Sequence, residues 1–201
     1  MILVYLFVVF VFCLIKKFYE QFINKSKTAK VVLLFQIVFA LILSYLIGEK
    51  WELISVLVIL VFLTHVVIVD IEKYLIPYSS LLVLLFIGII GILLDCFGYD
   101  DILFSLGSIK SRLTSFTIFI IIGFILNKIQ SLLNKDFLGG GDLMLFCVYS
   151  LIIGFEYTIL VLFISSFLAL LVYPLIRKRH IPFGPFLSIS FILIVIFCKK
   201  M

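Results

Sequence analysis

Three of the eleven acidic residues, Asp70, Asp95 and Asp142, touch long apolar runs. A carboxylate at membrane depth costs about 2.5–3.5 kcal/mol on insertion scales, so each such residue needs a reason to be there. If successive apolar runs cross a membrane in alternating directions, Asp70 closes one run and Asp142 opens another at the same face. Asp95 then lies near the opposite end of its run. Two facing carboxyls in a low-dielectric site cannot both ionise cheaply, so they share one proton. The charged partner can take a proton from water while the neutral one hydrogen-bonds a carbonyl oxygen. That is general acid–base hydrolysis without a metal or a covalent intermediate, and its two titrations belong to the pair rather than to either residue.

Gly139, Gly140 and Gly141 immediately precede Asp142. Glycines let another backbone approach closely, and an extended peptide could pair against such a segment by strand addition. The plainer reading is a glycine connection with Asp142 capping the next helix. The matching depth of Asp70 tips the balance toward chemistry. His65, five residues before Asp70, points well away from it on a helix and is read as a packing or hydrogen-bonded histidine. Asp95 is read as an interfacial residue on the outer side, and Glu72 and Lys73 as solvated loop charges. The cysteines Cys13, Cys96, Cys147 and Cys198 lie far apart with no CxxC spacing. They are read as small hydrophobes, and no metal or cofactor is expected.

The elements that must position these acids follow from composition. Of 201 residues, 65% are hydrophobic and 13% charged, too apolar for a water-soluble fold of this size. Several runs reach the ~17–25 apolar residues that cross a bilayer as a helix. Stretches such as Ile118 to Ile122 lack the alternation of a barrel strand. The expected spans cover 1–15 (extending through Lys16 to Tyr19), 31–47, 53–69, 80–97, 113–133, 142–155, 157–176 and 185–198. Residues 98–112 are expected to form a longer loop, Ser79 to cap the fourth span, and Pro174 to kink the seventh. With an outside N-terminus, eleven of the sixteen Lys and Arg residues fall in or beside the four cytoplasmic loops, as the positive-inside rule requires. The net charge of +5 is therefore read as a set of orientation signals, and no nucleic-acid partner is expected. The fold class is an all-α polytopic membrane helix bundle of about eight, six to eight, transmembrane helices. It is expected to form one membrane-embedded domain over residues 1–201 with no separate soluble domain.

Three segments carry a family resemblance. Asp70-Ile-Glu-Lys-Tyr-Leu-Ile-Pro77 resembles the first active-site motif of the type IV prepilin peptidases, an Asp followed six residues later by Ile-Pro or Leu-Pro. Gly139-Gly-Gly-Asp142 resembles their second, Gly-x-Gly-Asp, which is shared with presenilin-type proteases. Ile181-Pro-Phe-Gly-Pro-Phe-Leu187 resembles a segment before the last span of the bacterial enzymes. Together these motifs cover most of residues 50–197. The resemblance implies an aspartic endopeptidase of the bacterial cytoplasmic membrane with its site at the cytoplasmic face. It would remove the basic leader from prepilins or pseudopilins, with Asp70 and Asp142 catalytic. Pro77, Gly139, Gly140, Gly141, Pro182, Gly184 and Pro185 would be supporting motif residues, and membrane lipid the surrounding partner.

The chain also departs from the family pattern. Residues 16–30 stand where the long enzymes carry a domain with paired Cys-x-x-Cys zinc motifs associated with N-methylation, and they contain no cysteine. Tyr78 follows the motif proline where Asp or Asn is common, and Met144 stands where Lys is common two residues beyond the second Asp. The rival reading is a small proton- or cation-coupled transporter using the same acids. It would need polar groups distributed through the membrane, whereas the suspected pair sits at one face with only scattered groups such as Asn127, Ser165 and Ser166 deeper.

Overall fold

The computed structural model describes residues 51–98, 107–133, 139–176 and 181–198. Among these residues the chain forms six helices and no strand. They are α1 (Trp51–Lys73), α2 (Tyr78–Cys96), α3 (Ile109–Leu133), α4 (Gly140–Ile153), α5 (Phe155–Ile176) and α6 (Gly184–Cys198). Helices are what lipid demands, because each backbone N–H and C=O must find a partner within its own segment. The all-helical expectation holds. The first two expected spans lie outside the described residues. Of the six described helices, α1, α2, α3 and α5 are long and apolar enough to cross a membrane, fewer than the eight spans expected. Helices α4 and α6 have 14 and 15 residues, so each rises only about 21–23 Å against a hydrocarbon core of ~30 Å.

The short α4 sits in the middle. It packs against α2, α3 and α5, and Leu145, Phe146 and Val148 through Ile153 are all buried. A helix enclosed by protein on all sides is apolar all round, which is why its sequence reads like that of a lipid-facing span. The buried residues of α2 at 81, 84, 88 and 91 follow helical spacing on one face. Gly88 there lets Leu151 of α4 approach to where a Cβ would meet its Cδ2 at 2.9 Å, the small-residue contact typical of membrane helices. The other faces are apolar and exposed, at Phe124 and Leu132 on α3 and at Phe163 and Leu170 on α5, as suits helices set in lipid. Polarity is turned inward. Thr158 Oγ1 donates to the Gly154 carbonyl at 2.7 Å, and Ser115 Oγ donates to the carbonyls of Arg112 at 2.9 Å and Ser150 at 3.1 Å, joining α3 to α4.

Helix ends explain how the segments turn. α1 stops at Tyr74, which adopts the left-handed conformation (φ 55°) and donates its N–H to the Asp70 carbonyl at 2.9 Å. This is a C-terminal cap usually made by glycine. Pro77, not the expected Ser79, is the N-cap of α2, and no side chain caps that end. Its ring fixes φ near the −72° observed, and Ser80 and Leu81 both donate backbone N–H groups to the Pro77 carbonyl. Pro174 lies within α5, which continues to Ile176.

The end of the bundle opposite Asp70 corrects two expectations. α3 begins at Ile109 rather than 113, so Arg112 is a helical residue and not part of a loop. Asp95 is not an interfacial residue facing outward. It forms an ion pair with Arg112, and the two side chains are 5% and 1% exposed. The sequence offered no sign of the partnership because the two residues lie on either side of a polar connection. Gly154 closes this end with φ 84° and ψ 177°, a region open essentially to glycine alone, and a Cβ there would lie 3.6 Å from Arg112 Cγ.

Two stability predictions follow from these ends. Replacing Tyr74 with Asn, which tolerates the left-handed conformation better, should raise the thermal unfolding midpoint in detergent, a gain of about 0.5–1 kcal/mol; an unchanged or lower midpoint would contradict the strain. Removing one member of the buried ion pair, by Arg112→Ala or Asp95→Asn, should cost about 3–5 kcal/mol. It should show as a lowered midpoint and reduced yield of folded protein.

Candidate active site

The chain reverses direction at each connection, so the end of α1, the start of α2, residues 139–141 and the 181–184 turn gather at one end of the bundle. Asp70 lies in the last turn of α1 and is 5% exposed. Its Oδ2 accepts the backbone N–H of Gly184, the first residue of α6, at 2.7 Å. A Cβ on Gly184 would sit 2.8 Å from that same oxygen, so only glycine allows the backbone so close to the carboxyl. Two segments separated by 114 residues in sequence are thereby joined.

Asp142 enters from α4. Gly139 is the N-cap of that helix, and Asp142 occupies its first turn with its N–H donated to the Gly139 carbonyl at 3.0 Å. It is therefore a first-turn residue and not the cap, and its carboxyl bends back to within 3.0 Å of where a Cβ on Gly139 would be. Asp142 is half-buried, and the charge of Asp70 acts on it directly. The two acids thus lie at the same end of the bundle on different helices.

The supporting residues divide by what they touch. Gly141 faces the connection after α1: a Cβ there would lie 2.9 Å from Ile76 Cβ, an atom that cannot swing aside. The Asp70 and Asp142 segments are locked to each other through that contact. Gly140 meets nothing within 4 Å among the described residues, so none of them forbids a side chain there. Pro77 caps α2, Pro182 lies half-buried in the turn leading into α6, and Pro185 is the second residue of α6. His65 turns to α2, with Nδ1 2.6 Å from Ser80 Oγ. Glu72 and Lys73 are exposed at the tip of α1, and Met144 is exposed on α4.

Sequence reasoning missed the floor of this site. Tyr149 lies seven residues after Asp142, two turns along the same face of α4, and the Asp142 charge reaches its hydroxyl. The Tyr149 ring packs against Phe191 of α6 in a tilted arrangement, with centroids 4.3 Å apart. Its hydroxyl is turned toward Ser188, yet neither oxygen has a partner of hydrogen-bond geometry among the described residues. Helical spacing from Asp142 was the available signal for Tyr149, whereas nothing in the sequence marked Ser188. Among the described residues, no group of three or more His, Cys, Asp or Glu side chains is placed to hold a metal.

Comparison with known proteins bears on the class. Residues 57–174 match the type IV leader peptidase family, and this is more than half of the chain. The chain belongs to that family: it is a helical membrane protein of a peptidase family, and both acids lie within the matched region. No curated protein and no solved structure matches it.

The lock between the two acidic segments can be tested directly. Gly141→Ala should drive the new methyl against Ile76 and destabilise the site end by about 1–3 kcal/mol. Adding Ile76→Ala should restore part of that loss. Equal thermal midpoints for wild type and Gly141→Ala would remove the contact from the account.

Proposed function

We propose that the protein is a membrane aspartic endopeptidase that removes the basic leader from prepilins or pseudopilins at the cytoplasmic membrane face. The observation that carries this reading is the meeting of Asp70 and Asp142, from α1 and α4, at the end of the bundle where the 181–184 turn also arrives. Their placement supports a shared proton, with the charged member activating a water and the neutral one polarising the scissile carbonyl. Gly139 and Gly140 are exposed beside Asp142, a backbone edge along which an extended leader could lie. Membership of the type IV leader peptidase family supports leader removal as the reaction. The basic residues around the connections at this end support its cytoplasmic placement.

The mechanism needs both carboxyls. Asp70→Asn and Asp142→Asn each keep the shape and remove one member of the acid–base pair. Purified in detergent and incubated with candidate prepilins, each variant should lose leader removal by about 10²–10⁴-fold, as expected when an acid or base is deleted. Mass spectrometry of the new N-terminus reads cleavage, cut site and any added methyl group together. Undiminished cleavage by either variant would reject the mechanism. Proton flux in liposomes that depends on Asp70 and needs no peptide would favour transport instead.

A further inference from the structure

The two acids stand in unlike hydrogen-bonding environments, and the difference divides their work. We propose that the Gly184 amide holds Asp70 as the ionised member of the pair, the base toward water, and leaves Asp142 to carry the shared proton to the substrate carbonyl. This inference rests on the hydrolytic reading above, which requires one base and one acid without saying which is which.

The Gly184 N–H can only donate, and at 2.7 Å it sits at the short end of the amide–oxygen range. It is also one of the amides that a helix start leaves without an internal partner, at the end where the helix carries its partial positive charge. Pro185 has no N–H, so the Gly-Pro pair offers Asp70 one donor from these two positions. The Cβ that any other residue would bring lies 2.8 Å from Oδ2 and 3.2 Å from Cγ of Asp70, so glycine is the condition for this bond. Asp142 has no equivalent. Its own N–H is spent on the Gly139 carbonyl, and among the described residues no donor reaches its carboxyl in hydrogen-bond geometry. A first-turn position in α4 favours its anion too, but weakly, by a field rather than a directed bond.

Among the described residues, the other titratable groups nearby do not reverse this order. On α1, His65 faces Ser80, while Glu72 and Lys73 are exposed in the last turn. On α2, Tyr78 is 69% exposed. On α4, Tyr149 lies deeper and couples to Asp142, and the titratable side chain of α6, Cys198, is at its far end. Gly184 is accordingly a positioning residue: it acts through Asp70 and not on the substrate.

The amide itself reports the answer. Phe–Gly occurs twice in the chain, at 97–98 and 183–184, so protein labelled with carbonyl-13C phenylalanine and 15N glycine yields two selected amide signals. In detergent, the Gly184 proton should lie downfield and move upfield only as pH falls through the lower of the pair's two titration steps. The downfield position should persist in Asp142→Asn and vanish in Asp70→Asn. An amide that follows the upper step, or that ignores Asp70→Asn, overturns the assignment. In a second arm, Gly184→Ala should shift the acid limb of the leader-cleavage pH profile upward by about one pH unit, a tenfold change in proton affinity, and leave the basic limb in place. Movement of the basic limb alone would overturn it, and if this variant does not fold the titration decides. Failure of the wild-type protein to cleave any leader would count against the hydrolytic reading, while the amide titration would still report which acid is charged.

Discussion

Burying a carboxylate is the constraint around which this bundle is arranged. Asp70 is nearly inaccessible, and an ionised carboxylate in such a place must be met by a directed donor. The donor is a backbone amide at a helix start, delivered by the last described helix to the end of the first. Every other feature of that end serves the approach. Glycine at 184 removes the side chain that would block it, the cap at Tyr74 ends α1 just past the acid, and Ile76 presses the following connection onto Gly141. The second carboxyl arrives on α4, whose length suits a helix enclosed by protein more than one that must reach across lipid.

The opposite end is built on the same rule with a different answer. Asp95 is also withdrawn from solvent, but its counter-charge is the Arg112 guanidinium rather than an amide. The pair fixes the end of α2 to the start of α3, and Gly154 brings the turn between α4 and α5 against the same arginine. Two helical connections are thereby tied at a distance from the acids, so α4 is held at both ends. An acid matched by a full opposite charge is a structural element. An acid matched by another acid and one amide is the arrangement that the proposed chemistry calls for.

Much of this was legible before any coordinates. Apolar length gave the helices from the third expected span onward, with ends displaced by a few residues. Counting crossings placed Asp70 and Asp142 at one face, and their motifs pointed to the family that the chain matches. Helical spacing alone turned His65 away from Asp70, and the structure engages it with Ser80 instead. Other features were hidden for physical reasons. An interior helix such as α4 has no polar face, so its central position and its neighbours cannot be read from periodicity. The Gly184 bond to Asp70 joins residues too remote for any local pattern, and a backbone donor leaves no trace in residue type. Arg112 looked like a loop charge because long side chains at the edges of apolar runs usually reach for the interface.

The central claim is spatial, and cross-linking tests it without reference to activity. With the four native cysteines replaced, cysteines introduced at 70 and 142 should be joined in the folded protein by a short bifunctional thiol reagent. A cysteine at 142 paired with the native Cys96 retained, at opposite ends of the bundle, should remain separate. Linkage of 70 to 142 alone is the result expected; failure of that pair to link, or equal linkage of the control pair, would contradict the account.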